Sequence, residues 1–248
     1  MIIIHYFIYE KIIKIRWGGI MNIFIVRHAE SYSNTQGKIL STTDLGLTEK
    51  GVKQAQALSG KISKLISPNQ FDYIFSSPLI RAVQTAEIIS DKQNMTITDL
   101  LGEMDLGVIE GLTWHERAVR YPDIDMNHAL SRVNCAEGES YLTVEESCIK
   151  FIHRFLNKVD NNSCILITTH GITMRILTNL LLNKPREHVD YLNWAENTAV
   201  THIEFDNREG YGKAIFINDR RHLFSDELRN EDYEEWGLFS KKDYLALS

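Results

Sequence analysis

A single-domain α/β fold, a three-layer sandwich with a mainly parallel sheet and helices on both faces, is what this sequence predicts. Three observations carry the prediction. Residues 23–26, 71–75 and 164–169 are short runs dominated by apolar, β-branched and aromatic side chains, the pattern of strands buried on both faces in a parallel sheet. Each run is followed by a segment whose apolar residues recur at helical spacing, as expected of helices that cover such a sheet. No Pro/Gly/Ser-rich linker divides the 248 residues, so one sizeable core is expected.

The elements follow in order. Ile23-Phe24-Ile25-Val26 ends abruptly in Arg27 and His28. A polar loop over residues 31–46 comes next and is too long for a simple strand-to-helix turn, which marks it as functional. Thr48 is the expected N-cap of the first helix, with Leu47 and Val52 as its hydrophobic staple. Val52, Ala55, Leu58, Ile62, Leu65 and Ile66 form its apolar face.

The second strand runs into Ser76-Ser77-Pro78, and a helix over residues 79–90 carries Arg81 in its first turn. Residues 96–101 alternate enough for a short strand, and residues 102–111 form a glycine-bounded loop with Glu103 and Glu110. A helix near Trp114–Arg120 and a broken stretch through Glu139 are expected to cap the sheet edge. Val144, Cys148, Phe151, Ile152, Phe155 and Val159 mark another helix before the third strand delivers His170-Gly171. Residues 171–175 open a helix whose free N–H groups are expected to face the same edge. Residues 199–205 and 213–217 read as a strand pair, and residues 224–248 as a charged C-terminal tail.

Hydrophobic content of 44% and charged content of 24% are ordinary globular values, which favours neither disorder nor a membrane class. The net charge of −6 argues against general affinity for nucleic acid or anionic membranes, while leaving room for a local basic pocket. Cys135, Cys148 and Cys164 are odd in number and form no C-x-x-C pair. A disulfide framework is not expected, and a cytoplasmic location is. Cys148 and Arg154 stand at the C-x5-R spacing of cysteine-dependent phosphatases, but the residues between them continue a helical stripe and lack glycines to turn N–H groups onto phosphate. Cys148 therefore reads as core and Arg154 as surface.

In parallel sheets ligands bind outside the carboxyl ends of the strands. Three parallel strands would bring Arg27, His28, Arg81 and His170 to one rim, a set suited to an anion such as phosphate. These residues also carry a resemblance. Arg27-His28-Ala29-Glu30, Asn34, Ser76-Ser77-Pro78-Leu79 with Arg81, Gly102-Glu103 through Gly107, Glu110-Gly111-Leu112 and Thr169-His170-Gly171 resemble, in order, the motifs of the histidine phosphatase superfamily, also called phosphoglycerate mutase-like.

The resemblance implies roles. His28 is the nucleophile, Arg27, Arg81 and His170 hold the phosphate oxygens, Asn34 and Gly171 lie at the phosphate site, and Glu103 is the proton donor. Glu110 is the competing acid and is expected to fix the loop instead. The catalytic unit is expected over residues 21–223. Because family members usually begin their first strand just after the initiating methionine, residues 1–20 are expected to be a leader or extension outside the native protein. Their apolar-then-charged order is the reverse of a signal peptide.

The expected activity is metal-independent hydrolysis of a small phosphorylated substrate, without a cofactor, through phosphohistidine. The alternatives are a phosphoglycerate mutase-type phosphotransferase and a non-catalytic phosphate-ligand-binding protein of the same fold. Residues 112–143 look short for the insertion that encloses a mutase intermediate, which favours hydrolysis. A zinc site on His28, His170 and Glu103 is disfavoured by two neighbouring arginines, which repel a dication and attract phosphate.

Overall fold

The computed structural model describes residues 19–66, 71–206, 208–224 and 228. Six strands form one sheet in the order β3-β2-β4-β1-β5-β6: β1 (Ile20–Arg27), β2 (Tyr73–Ser76), β3 (Thr96–Ile97), β4 (Cys164–Thr169), β5 (Val200–Asp206) and β6 (Tyr211–Asp219). Strands β1, β2, β3 and β4 pair in parallel, and β5 and β6 return antiparallel. The sheet is therefore mainly parallel, with an antiparallel edge.

Successive residues of a strand face opposite ways, and β1 shows why its run had to be apolar throughout. Ile23 and Ile25 enter one core with Ile165, Ile167 and Phe75. Phe24 and Val26 enter the other with Leu166 and Ile74. Helices α1 (Glu49–Ile62) and α2 (Ile80–Ile89) cover the second core through Leu58, Ile62, Ala86 and Ile89. Helices α4 (Tyr141–Arg154) and α5 (Gly171–Leu181) cover the first through Cys148, Phe151, Ile172 and Ile176. The three layers are those the sequence predicts.

The differences lie at element ends. Helix α1 has the predicted Thr48 cap, whose hydroxyl accepts from Gly51 N at 2.9 Å, but it stops at Ile62, which leaves Leu65 51% exposed. The strand expected over residues 96–101 is only two residues long, because Thr98 caps a 3-10 turn over Asp99–Leu101. The stripe through Val159 leaves α4 at Arg154 and finishes in a 3-10 turn, Leu156–Lys158. Helix α3 (Trp114–Arg120) has the expected bounds and a capping box of Thr113 and Glu116. Cys148 is buried in the core and Arg154 exposed. Of the expected leader, residues 1–18 lie outside the described residues, and so does the expected charged tail apart from Phe224 and Leu228.

Among the described residues no helix is long and apolar enough to cross a membrane.

Candidate active site

Register builds the floor of the site. Arg27 lies opposite Thr169 in the parallel β1–β4 pair, so the next residue of each strand, His28 and His170, leaves the sheet side by side. Their ring centroids are 5.1 Å apart. Ser76 lies opposite Thr168, which puts Ser77 level with Thr169, one residue short of His170, and Ser77 Oγ and His170 Nε2 share a 2.7 Å hydrogen bond. Arg81 rises from the first turn of α2 beside them.

These groups line or underlie a cavity of about 70 Å³, with Arg27, His28, Asn34, Arg81 and Glu103 on its wall. A single water needs ~10–15 Å³ by the same measure, so the space suits a phosphoryl-sized group. His170 is wholly buried behind His28, and its Nδ1 has no partner among the described residues. Gly171 does not line the cavity. It lies under Trp194, where a Cβ would come within 2.9 Å of the ring.

The His28 tautomer follows from one contact. Its Nδ1 is 2.8 Å from the carbonyl oxygen of Ala29, an atom that can only accept, so Nδ1 bears the hydrogen and Nε2 keeps the lone pair. Burial holds the His28 pKa well below its ordinary value, and Arg81, His170 and Arg27 push it the same way. Both effects favour the uncharged ring, whose Nε2 carries the lone pair. His170 is likewise held well below its ordinary value by burial, then by Arg81 and Arg27.

Arg81 is 2% exposed, and its guanidinium donates to Ser41 O at 2.6 Å and Thr43 O at 2.9 Å, with Asp44 at 3.6 Å. Arg27 donates to Ala195 O at 2.6 Å. The Asn34 carbonyl oxygen accepts from Ser31 N, Ser31 Oγ and Asn197 Nδ2 at 3.0, 3.1 and 3.3 Å. That leaves the Asn34 amide hydrogens for an anion.

Glu103 is half-buried against the start of α5. It accepts from Met104 N at 3.1 Å and from Ile172 N and Thr173 N at 3.3 Å each. The N–H groups expected to face an anion on the rim are thus taken by this carboxyl. Burial still raises the Glu103 pKa, outweighing those donors and the two arginines. Glu110 instead binds Ser41 through its N at 2.9 Å and its Oγ at 2.6 Å. Glu110 holds the loop, as expected, and does not line the cavity.

Trp194, Asn197 and Thr198 had no signal in the sequence reading. They precede β5, which runs antiparallel, so its amino end lies at the same rim as the carboxyl ends of β1 and β4. Thr198 N donates to Arg27 O at 3.1 Å, and Asn197 Nδ2 to His28 O at 2.9 Å. Together they fix the backbone from which the two catalytic candidates project. Thr198 adopts φ = 60° to do so, a left-handed conformation that a β-branched residue rarely takes without tertiary support.

Known proteins are similar to this chain in sequence and fold. A family model described as the histidine phosphatase superfamily (branch 1) matches residues 23–218. The chain is 36% identical over 201 residues to a protein of Bacillus subtilis named uncharacterized phosphatase PhoE, covering 79% of this chain and 94% of that one. It is 30% identical over 169 residues to phosphoserine phosphatase 1 of Hydrogenobacter thermophilus, covering 65% and 76%. Among solved structures, YhfR of Bacillus stearothermophilus superposes with a TM-score of 0.69 at 25% identity, over 82% of this chain and 98% of that one. By sequence match and fold alike, the chain belongs to the histidine phosphatase superfamily, branch 1.

Proposed function

We propose that the protein hydrolyses phosphate monoesters through a phosphohistidine on His28. The observation that carries this reading is the placement of the His28 ring, its Nδ1 tied to Ala29 O at 2.8 Å and its charged form disfavoured by burial, two arginines and a second histidine. A phosphate ester placed there meets a lone pair at phosphorus and cations around its oxygens, which is what phosphoryl transfer requires.

In the first step His28 Nε2 forms a bond to phosphorus as the bond to the ester oxygen breaks, and Glu103 gives its proton to the departing alkoxide. Burial keeps Glu103 protonated toward higher pH than an ordinary carboxyl, which suits a general acid. Arg27, Arg81, His170 and Asn34 hold the phosphoryl oxygens, and the His170 Nδ1 without a partner is matched by a phosphate oxygen. In the second step water attacks phosphorus, Glu103 takes its proton, and phosphate leaves His28. We take residues 21–223 as the unit that does this, acting on a small phosphorylated substrate.

The test is phosphate release in EDTA by the wild type and by His28→Ala, with acid-quenched protein analysed for labelled phosphohistidine. Hydrolysis that persists in EDTA and vanishes with His28 is expected. Release by His28→Ala at the wild-type rate would exclude the mechanism.

A further inference from the structure

Outside the phosphoryl centre the cavity is walled by Ile39, Leu106, Trp114, Met126, Ile172 and Trp194. The two serines of the lining are committed elsewhere. Ser41 Oγ donates to Glu110 at 2.6 Å, and Ser33 Oγ to Thr43 O at 3.1 Å. Glu103 is the only carboxylate among the described residues lining the cavity, and α5 holds it. Lys38 stands exposed at the mouth. An ammonium group entering with the alcohol finds no free counter-charge, and hydroxyls out of reach of Lys38 would lose water without gaining partners.

Trp194 is fixed in place. Two guanidinium groups stand near its ring, with Arg27 Cζ 5.7 Å and Arg175 Cζ 5.8 Å from its centroid, within cation–π range. Arg175 is itself buried and donates to Met126 O at 2.7 Å and Val189 O at 2.9 Å. Gly171 at the start of α5 leaves the ring the space it occupies. One indole thus joins the phosphate-side arginine to the segment that carries the Met126 wall, and a preorganised aromatic wall binds a flat apolar group at little entropic cost.

Resting on the phosphatase reading above, we infer that this half of the cavity selects esters whose alcohol carries a flat apolar body, with Trp194 and Trp114 as the selecting walls. Polyhydroxy and zwitterionic alcohols are the disfavoured classes.

Benzyl phosphate, glycerol 3-phosphate and O-phosphoserine are all esters of primary alcohols, so their comparison separates the alcohol's body from its departure. The benzyl ester is expected to have the higher kcat/KM by about tenfold or more, the scale on which apolar pockets discriminate. Trp114→Ser should bring that ratio toward unity, whereas Trp194→Phe, which retains a ring, should keep most of it. Calorimetry on the wild type with benzylphosphonate and 2-hydroxyethylphosphonate reads the same preference without turnover.

Equal efficiency on all three esters, or a preference for phosphoserine, overturns the subsite and leaves the phosphatase reading standing. Tighter binding of benzylphosphonate with no hydrolysis of any ester supports the subsite and overturns the phosphatase reading.

Discussion

The floor and the walls of the cavity are built in different ways. The floor comes from strand ends, where parallel register places His28 beside His170 and brings Ser77 within a hydrogen bond of His170. The walls come from loops at 33–44, 103–126 and 192–198, tied to the floor by side chains that reach across long sequence separations, as Arg81 does to Ser41 and Thr43. Floor geometry is inherited from backbone ladders that cannot shift without breaking the sheet. Wall geometry depends on single contacts, so the reaction type belongs to the floor and the choice of substrate to the walls.

Substitutions that touch one part or the other sharpen this contrast. Glu103 is the acid of the proposed chemistry, and Glu103→Gln should lower kcat for alkyl esters by about 10²–10⁴-fold, the usual worth of a general acid. The pH profile supplies the sign. Because the Glu103 pKa is raised, the acid form persists as pH increases and is lost once pH passes the raised value, so wild-type kcat falls on the alkaline side. Gln cannot titrate, and the alkaline limb should disappear from the variant profile. A limb that survives in Glu103→Gln would assign it to another group.

Arg81 spans the two parts, since it faces the phosphoryl centre and also holds the 41–44 loop. Arg81→Ala should cost about 10²–10³-fold in kcat, as the loss of one preorganised donor does elsewhere, and should also weaken inhibition by inorganic phosphate. If phosphate inhibition is unchanged, Arg81 serves the loop alone.

Glu110 belongs to the wall. Glu110→Gln keeps the shape but weakens the charge-assisted bonds to Ser41, and about 1.5–3 kcal/mol is the range for such bonds. The expected result is a lower Tm with KM raised more than kcat is lowered. A kcat loss matching that of Glu103→Gln, with KM unchanged, would make Glu110 the acid and remove the distinction drawn here.

The floor was legible because its signals are local. Apolar runs that end in Arg27-His28 and Thr169-His170 declare buried strands and what stands at their carboxyl ends, and Thr48 declares a helix start by its own hydrogen bond. The order of the family motifs added Asn34 and Glu103, which no periodicity identifies. Leu65 was misplaced because an apolar stripe says nothing about where packing against the sheet ends. The α5 N–H groups were assigned to an anion because helix geometry shows that they are free of the helix, but not that Glu103, about seventy residues earlier, would accept from them.

The sequence by itself therefore determined the layered fold and the residues at its strand ends, since both rest on contacts between near neighbours and on a two-residue or 3.6-residue repeat. Only the tertiary structure decided that β5 runs back along β1, which brings Trp194, Asn197 and Thr198 to the rim by their strand's amino end. Strand direction is set by pairing partners nearly 180 residues apart, and no local pattern of side chains records it.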